Sequence, residues 1–86
     1  MIRGYVYDST RMLTIPQVKV TSTSGAIAYT DSVGYYNILV SPRDSISFFF
    51  RGKSTTQFPV KDIRYQQGFD VSLRVTIQSR YQTLKE

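Results

Sequence analysis

Apolar and polar side chains alternate along most of this chain with a period of two, the pattern of strands that bury one face. Residues 69–78 show it most fully: Phe69, Val71, Leu73, Val75 and Ile77 alternate with Asp70, Ser72, Arg74, Thr76 and Gln78. In residues 45–51, Ile46, Phe48 and Phe50 oppose Ser45, Ser47 and Phe49, and in residues 35–40, Tyr36, Ile38 and Val40 oppose Tyr35, Asn37 and Leu39. Residues 2–7 place Ile2, Gly4 and Val6 on one face and Arg3, Tyr5 and Tyr7 on the other, and residues 17–22 turn Val18 and Val20 inward. Residues 26–30 read as a small edge strand. Residues 55–60 make a short sixth strand with Phe58 and Val60 inward, and Pro59, which has no N–H for a ladder, puts it at an edge. No window repeats apolar residues at three and four, so helix is not expected. About seven strands with turn residues between them predict an all-β chain. Because each strand is apolar on one side only, the expected architecture is a seven-stranded antiparallel β-sandwich. Its predicted core holds Val6, Val20, Tyr36, Ile38, Ile46, Phe48 and Leu73.

The turns are marked by their own chemistry. In Thr30-Asp31-Ser32-Val33-Gly34-Tyr35-Tyr36-Asn37-Ile38 the Asp31 carboxylate is placed to fold back onto backbone N–H groups, and Gly34 to take a positive φ. Ser41-Pro42-Arg43-Asp44 is a second turn, and Gly52-Lys53 breaks the strand before it. Residues 8–16 form a loop closing through Leu13 and Ile15, and residues 61–68 a longer loop holding Ile63 and Tyr65. The alternation stops after residue 78. Residues 1–78 are therefore expected as one domain and residues 79–86 as a tail or the start of a linker.

Composition narrows the chemistry. At 86 residues the chain holds one core, with a stability on the order of 4 to 13 kcal/mol. His is 0 and Cys is 0, which removes the commonest general base, the commonest transition-metal ligands and the thiol nucleophile. Asp8, Asp31, Asp44, Asp62, Asp70 and Glu86 are the carboxylates that remain, and the first three stand in turns, where capping accounts for them. No loop supplies the several oxygen ligands calcium takes. A serine or threonine nucleophile would lack an adjacent base. Gly52-Lys53-Ser54 ends like a phosphate-binding loop but lacks the upstream glycine. The chain is expected to be no enzyme and to carry no cofactor or metal.

The net charge of +5 raises the question of an anionic partner, yet the eleven Lys and Arg residues form no run, so nucleic acid is not expected. The longest apolar run, residues 46–50, is far short of the roughly 20 residues a membrane-spanning helix needs. The start does not read as a signal peptide. Tyr5, Tyr7, Tyr35 and Phe49 should point outward, and with Arg51 they form the predicted contact surface. An outward Phe49 predicts docking of a neighbouring domain or self-association through edge strands. The tyrosines offer an alternative, stacking against the sugar rings of a glycan.

Ile2-Arg3-Gly4-Tyr5-Val6-Tyr7-Asp8, Ile15-Pro16-Gln17-Val18-Lys19-Val20, the Asp31–Gly34 turn with Tyr35-Tyr36-Asn37-Ile38, Asp44-Ser45-Ile46-Ser47-Phe48 and Phe50-Arg51-Gly52 together resemble the carboxypeptidase regulatory-like domain. The resemblance implies a transthyretin-like, or prealbumin-like, antiparallel Greek-key β-sandwich of seven strands, and it runs from Ile2 to about Ile77. Two places depart from the pattern: Arg11-Met12-Leu13 in the 8–16 loop, and Lys53 where an aromatic residue often stands. The resemblance implies a non-catalytic accessory module, the first domain of a longer protein of the kind found in the envelopes of Bacteroidetes. It also implies a location in the periplasm or at the outer membrane.

Overall fold

Strands apolar on one side need a second layer to cover that side, and this chain supplies it with two sheets. In a computed structural model that describes residues 1–73, the strands are β1 (Ile2–Tyr7), β2 (Lys19–Ser22), β3 (Ile27–Tyr29), β4 (Tyr35–Ile38), β5 (Ser45–Phe50), β6 (Lys53–Ser54), β7 (Phe58–Pro59) and β8 (Val71–Ser72). A single 3₁₀ turn, Val60–Asp62, follows β7. One sheet has the order β4-β1-β8; the other has the order β3-β2-β5-β6, with β7 also on β5.

The inner faces meet in one core. Ile2, Val6, Tyr36, Ile38, Val71 and Leu73 pack from one side and Val18, Val20, Ile46 and Phe48 from the other. Phe48 is fully buried, with its ring edge-on to Tyr36 at 5.3 Å and to Phe58 at 6.1 Å. Val6, Val20, Tyr36, Ile38, Ile46, Phe48 and Leu73 are all buried. Ile15 and Ile63 join them from connecting segments. Ile15 gets there because its N–H donates to the Val6 carbonyl at 2.9 Å and Thr14 bridges Tyr7, which folds the 8–16 loop against β1. Leu13 stays exposed.

Two expectations are corrected. The sheets are not purely antiparallel, because β8 runs parallel to β1, with Val6 opposite Val71 and Tyr7 opposite Ser72. One-sided alternation is blind to strand direction. The 3₁₀ turn and the loop after it carry the chain from β7 in one sheet to the β1 flank of the other, where it enters in the same sense as β1.

After β5 the chain forms two pieces of strand rather than one: β6 at residues 53–54, where a break was expected, and β7, the strand found within residues 55–60, so the strands among the described residues number eight rather than seven. Arg51 and Gly52 both have positive φ, 52° and 79°, as a primed two-residue hairpin turn requires, so Gly52-Lys53 is the start of a hairpin rather than a break. Phe50 then faces Lys53. Continuing that register would set Gln57 against Ile46, but Phe58 stands there. One residue has been inserted, a β-bulge. Between the pieces the Thr55 hydroxyl accepts from the Phe48 N–H at 3.1 Å, doing the work of a backbone carbonyl. The insertion keeps Phe58 on the core side. Residues 74–78 of the last predicted strand, the boundary after residue 78 and the tail at 79–86 lie outside the described residues.

Candidate functional site

The aspartates come first, since they are the chain's main candidates for acid–base work. Asp31 Oδ1 accepts from the Val33 and Tyr35 N–H groups, both at 3.0 Å, and its own carbonyl accepts from the Gly34 N–H at 2.9 Å. Gly34 has φ +80°, and a Cβ there would lie 2.4 Å from Thr14 Cβ. Asp44 Oδ2 accepts from the Ser41 N–H at 3.0 Å and from the Ser24 hydroxyl at 2.8 Å, joining two turns. Those hydrogen bonds, the Ser41 N–H foremost, hold the Asp44 carboxyl below its ordinary pKa. Asp8 is buried, and its Oδ1 accepts from the Thr10 N–H and hydroxyl at 3.1 and 2.7 Å.

Asp70 does something less ordinary. Its Oδ1 accepts the Tyr5 N–H at 2.8 Å, a position that a parallel ladder would fill with a backbone carbonyl. The Phe69 carbonyl is turned instead to the Tyr36 hydroxyl, 2.6 Å away. Burial pushes the Tyr36 hydroxyl well above its ordinary pKa, and the Asp70 charge adds to the shift, so the group stays protonated and donates. Gly4 makes room for this crossing. A Cβ at residue 4 would stand 2.3 Å from the Phe69 carbonyl oxygen.

The predicted contact surface divides in two. Tyr5, Tyr7 and Tyr35 lie on the outer face of the β4-β1-β8 sheet, while Phe49 lies on the outer face of the other sheet and Arg51 in the β5–β6 turn. The sandwich core separates them. Tyr5 and Tyr35 face each other across β1 and β4 with ring centroids 5.4 Å apart and planes at 63°, so they meet edge to face. Tyr7 is half-buried, with the Arg11 guanidinium 5.9 Å from its ring centroid. The Arg51 guanidinium lies 5.1 Å from the Phe50 ring. Phe49 is 46 % exposed beside Lys19.

β3, expected only as a small edge strand, displays two large side chains that fall outside the predicted contact surface. Ile27 and Tyr29 are 57 % and 60 % exposed, on the same outer face as Phe49. The signal was present in the order Ala26-Ile27-Ala28-Tyr29: two small residues packed against the core alternate with two large ones outside.

A groove of about 750 Å³ lies beside β6 and β7, lined by Phe50, Lys53, Ser54, Thr55, Thr56, Phe58, Ser72 and Leu73. Among these described residues Lys53 is the one titratable group. No three carboxylates among the described residues come close enough to hold a metal ion, and no helix there is long and apolar enough to cross a membrane.

Comparison with models of protein families, with curated proteins and with solved structures gives no match.

Proposed function

We propose that this chain is a non-catalytic accessory module that works through contacts with a neighbouring domain or protein. In this reading its two sheets form the transthyretin-like Greek-key sandwich of a carboxypeptidase regulatory-like domain, carried at the start of a longer bacterial cell-envelope protein. The observation that carries the reading is the use made of the aspartates. Asp31, Asp44 and Asp70 each accept backbone N–H groups and so hold turns and a strand in place, in a chain with no histidine or cysteine to take over acid–base or thiol chemistry. Apolar area is meanwhile displayed on the outer faces by Tyr5 and Phe49. The family and the envelope location rest on the sequence resemblance alone.

The glycan alternative is the weaker reading. Tyr5 and Tyr35 meet at 63°, and a sugar-stacking platform needs ring faces turned outward together.

Hydroxyl-radical footprinting tests the module reading. Tyr5 and Phe49 should label strongly in this chain by itself and at least severalfold less within the longer protein encoded by its gene. Equal labelling in both, or turnover of a substrate by the chain that is lost on an aspartate-to-asparagine change, overturns it.

A further inference from the structure

The two edges of the five-stranded sheet are finished differently. At the β6–β7 edge, Pro59 faces Ser45, and the neighbouring Val60 N–H donates to the Asp44 carbonyl, so the donorless nitrogen of Pro59 points away from the sheet. The bulge between Ser54 and Phe58 interrupts the same edge, and Lys53 and Lys61 flank it. Proline, bulge and lysine are the usual devices that stop a strand from recruiting another. β3, at the opposite edge, has none of them.

Register shows which of its backbone groups are free of partners among the described residues. The Thr30 N–H donates to the Val18 carbonyl and the Ser22 N–H to the Ala26 carbonyl, so in this antiparallel pair the hydrogen-bonded partners are Val18/Thr30, Val20/Ala28 and Ser22/Ala26. Ile27 and Tyr29 belong to the alternate set. Their N–H and C=O groups point away from β2, toward the open side, and their side chains stand together on the outer face.

This edge is complementary to itself. About a two-fold axis at Ala28, Ile27 of one copy lies opposite Tyr29 of the other. Both residues turn their backbone groups to the shared side, so four N–H···O=C bonds form. Ala28 meets Ala28 in the close, non-hydrogen-bonded position, where a small side chain fits. Each Ile27 packs across the seam on a Tyr29, a β-branched–aromatic pair of the kind that favours sheet pairing.

Charge does not oppose the arrangement, although each chain carries +5. No charged residue lies in β3, and the two Lys19 side chains would sit three strand spacings apart, about 14 Å, beyond the screening length of about 8 Å.

We infer that β3 is a self-association edge, pairing antiparallel with β3 of a second copy of this chain to join two five-stranded sheets into one. The inference stands independently of the accessory-module reading. A seam this short falls at the weak end of specific interfaces, so the expected Kd is about 0.1 to 1 mM.

Sedimentation equilibrium from about 10 μM to 1 mM, with amide exchange followed by NMR at both ends of that range, tests it. The expected result is a monomer–dimer equilibrium that stops at two copies. Exchange at Ile27 and Tyr29 should slow as concentration rises while Ala28, already bonded to Val20, does not change. Ile27→Lys should weaken association at least tenfold; Tyr29→Lys should do the same and serves if the first variant folds poorly. Leu39→Lys, at an exposed residue outside the strands, should leave association unchanged. A monomer at 1 mM overturns the inference, as do open-ended oligomers or equal weakening by Leu39→Lys. Protection of Ile27 and Tyr29 only on adding an unrelated extended peptide overturns the second copy as the occupant.

Discussion

The two flanks of β1 use the same pair of residue types in different ways. On the β4 side, Asp31 and Gly34 shape the turn that returns the chain antiparallel to β1, and the carboxylate reaches N–H groups only two and four residues on. On the β8 side, Asp70 and Gly4 perform the matching tasks 66 positions apart: a carboxylate accepts a strand N–H, and a glycine lets another segment pass at contact distance. The first arrangement is complete within one short stretch of sequence. The second exists only once the sandwich has closed, with the Tyr36 hydroxyl holding the Phe69 carbonyl in its turned position. An Asp–Gly pair can therefore build a turn or latch a strand, and distance along the chain decides whether inspection of the sequence finds it.

Substitutions test how far this likeness goes, and the largest effect is expected at Gly4. A Cβ there meets backbone atoms of Phe69 at 2.3 and 2.6 Å, and backbone cannot swing aside as a side-chain end can. Gly4→Ala should cost about 3 kcal/mol or more, with β8 detached from β1. Chemical denaturation with NMR of the Val71 and Leu73 resonances would check it, and an unchanged denaturation midpoint would count against the crossing as described.

Tyr36→Phe keeps the ring in the core but leaves the Phe69 carbonyl without its donor. A loss of about 1 to 3 kcal/mol is expected, together with faster amide exchange at Tyr5 and Leu73 and little change in β4. A loss spread evenly over both sheets would show that the hydroxyl serves the core in general rather than the β8 flank.

Asp31→Ala and Asp70→Ala should each cost about 1 kcal/mol, and the comparison is sharpest in where the damage appears. Asp31→Ala should speed exchange at Val33 and Tyr35, and Asp70→Ala at Tyr5. A double variant gives the remaining information: the sites flank different sides of β1, so their costs should add to within about 0.5 kcal/mol.

The smallest expected effect is a dependence on acid. The folded state holds the Asp44 carboxyl below its unfolded pKa, first through the Ser41 N–H and then through the Ser24 hydroxyl. That contribution is complete above the unfolded carboxylate value, about 3.9, and is lost as pH falls through the lower folded value. Asp44→Asn should therefore reduce the fall in melting temperature on going from about pH 5 to about pH 2, as followed by circular dichroism. An identical fall in both proteins would remove the Ser41–Asp44 turn from the acid response.

Alternation and turn chemistry were enough to place the buried face of β1, β2, β4 and β5, because both act within a few residues. Ile46 and Phe48 can point inward only if Ser45, Ser47 and Phe49 point outward, and Asp31 reaches its N–H partners without help from any other segment. The same locality explains what was missed. The predicted contact surface read Tyr5, Tyr7, Tyr35, Phe49 and Arg51 as one group because all point away from the core, but alternation does not say which sheet a strand joins. Ile27 and Tyr29 reverse the usual rule that the larger apolar residues of a strand face the core: here the small Ala26 and Ala28 pack inward, because the neighbouring layers leave room for no more.

The chain by itself determined that it would be all-β, which side of its main strands would be apolar and where its Asp31–Gly34 turn would fall, since each follows from interactions spanning two to four residues. Only the tertiary structure decided that β8 runs parallel to β1, that a bulge at Thr55 keeps Phe58 inward, and that β3 is left with an edge open among the described residues. Those outcomes depend on hydrogen-bond partners supplied by distant segments, and no local pattern of side chains specifies which partner arrives or from which direction.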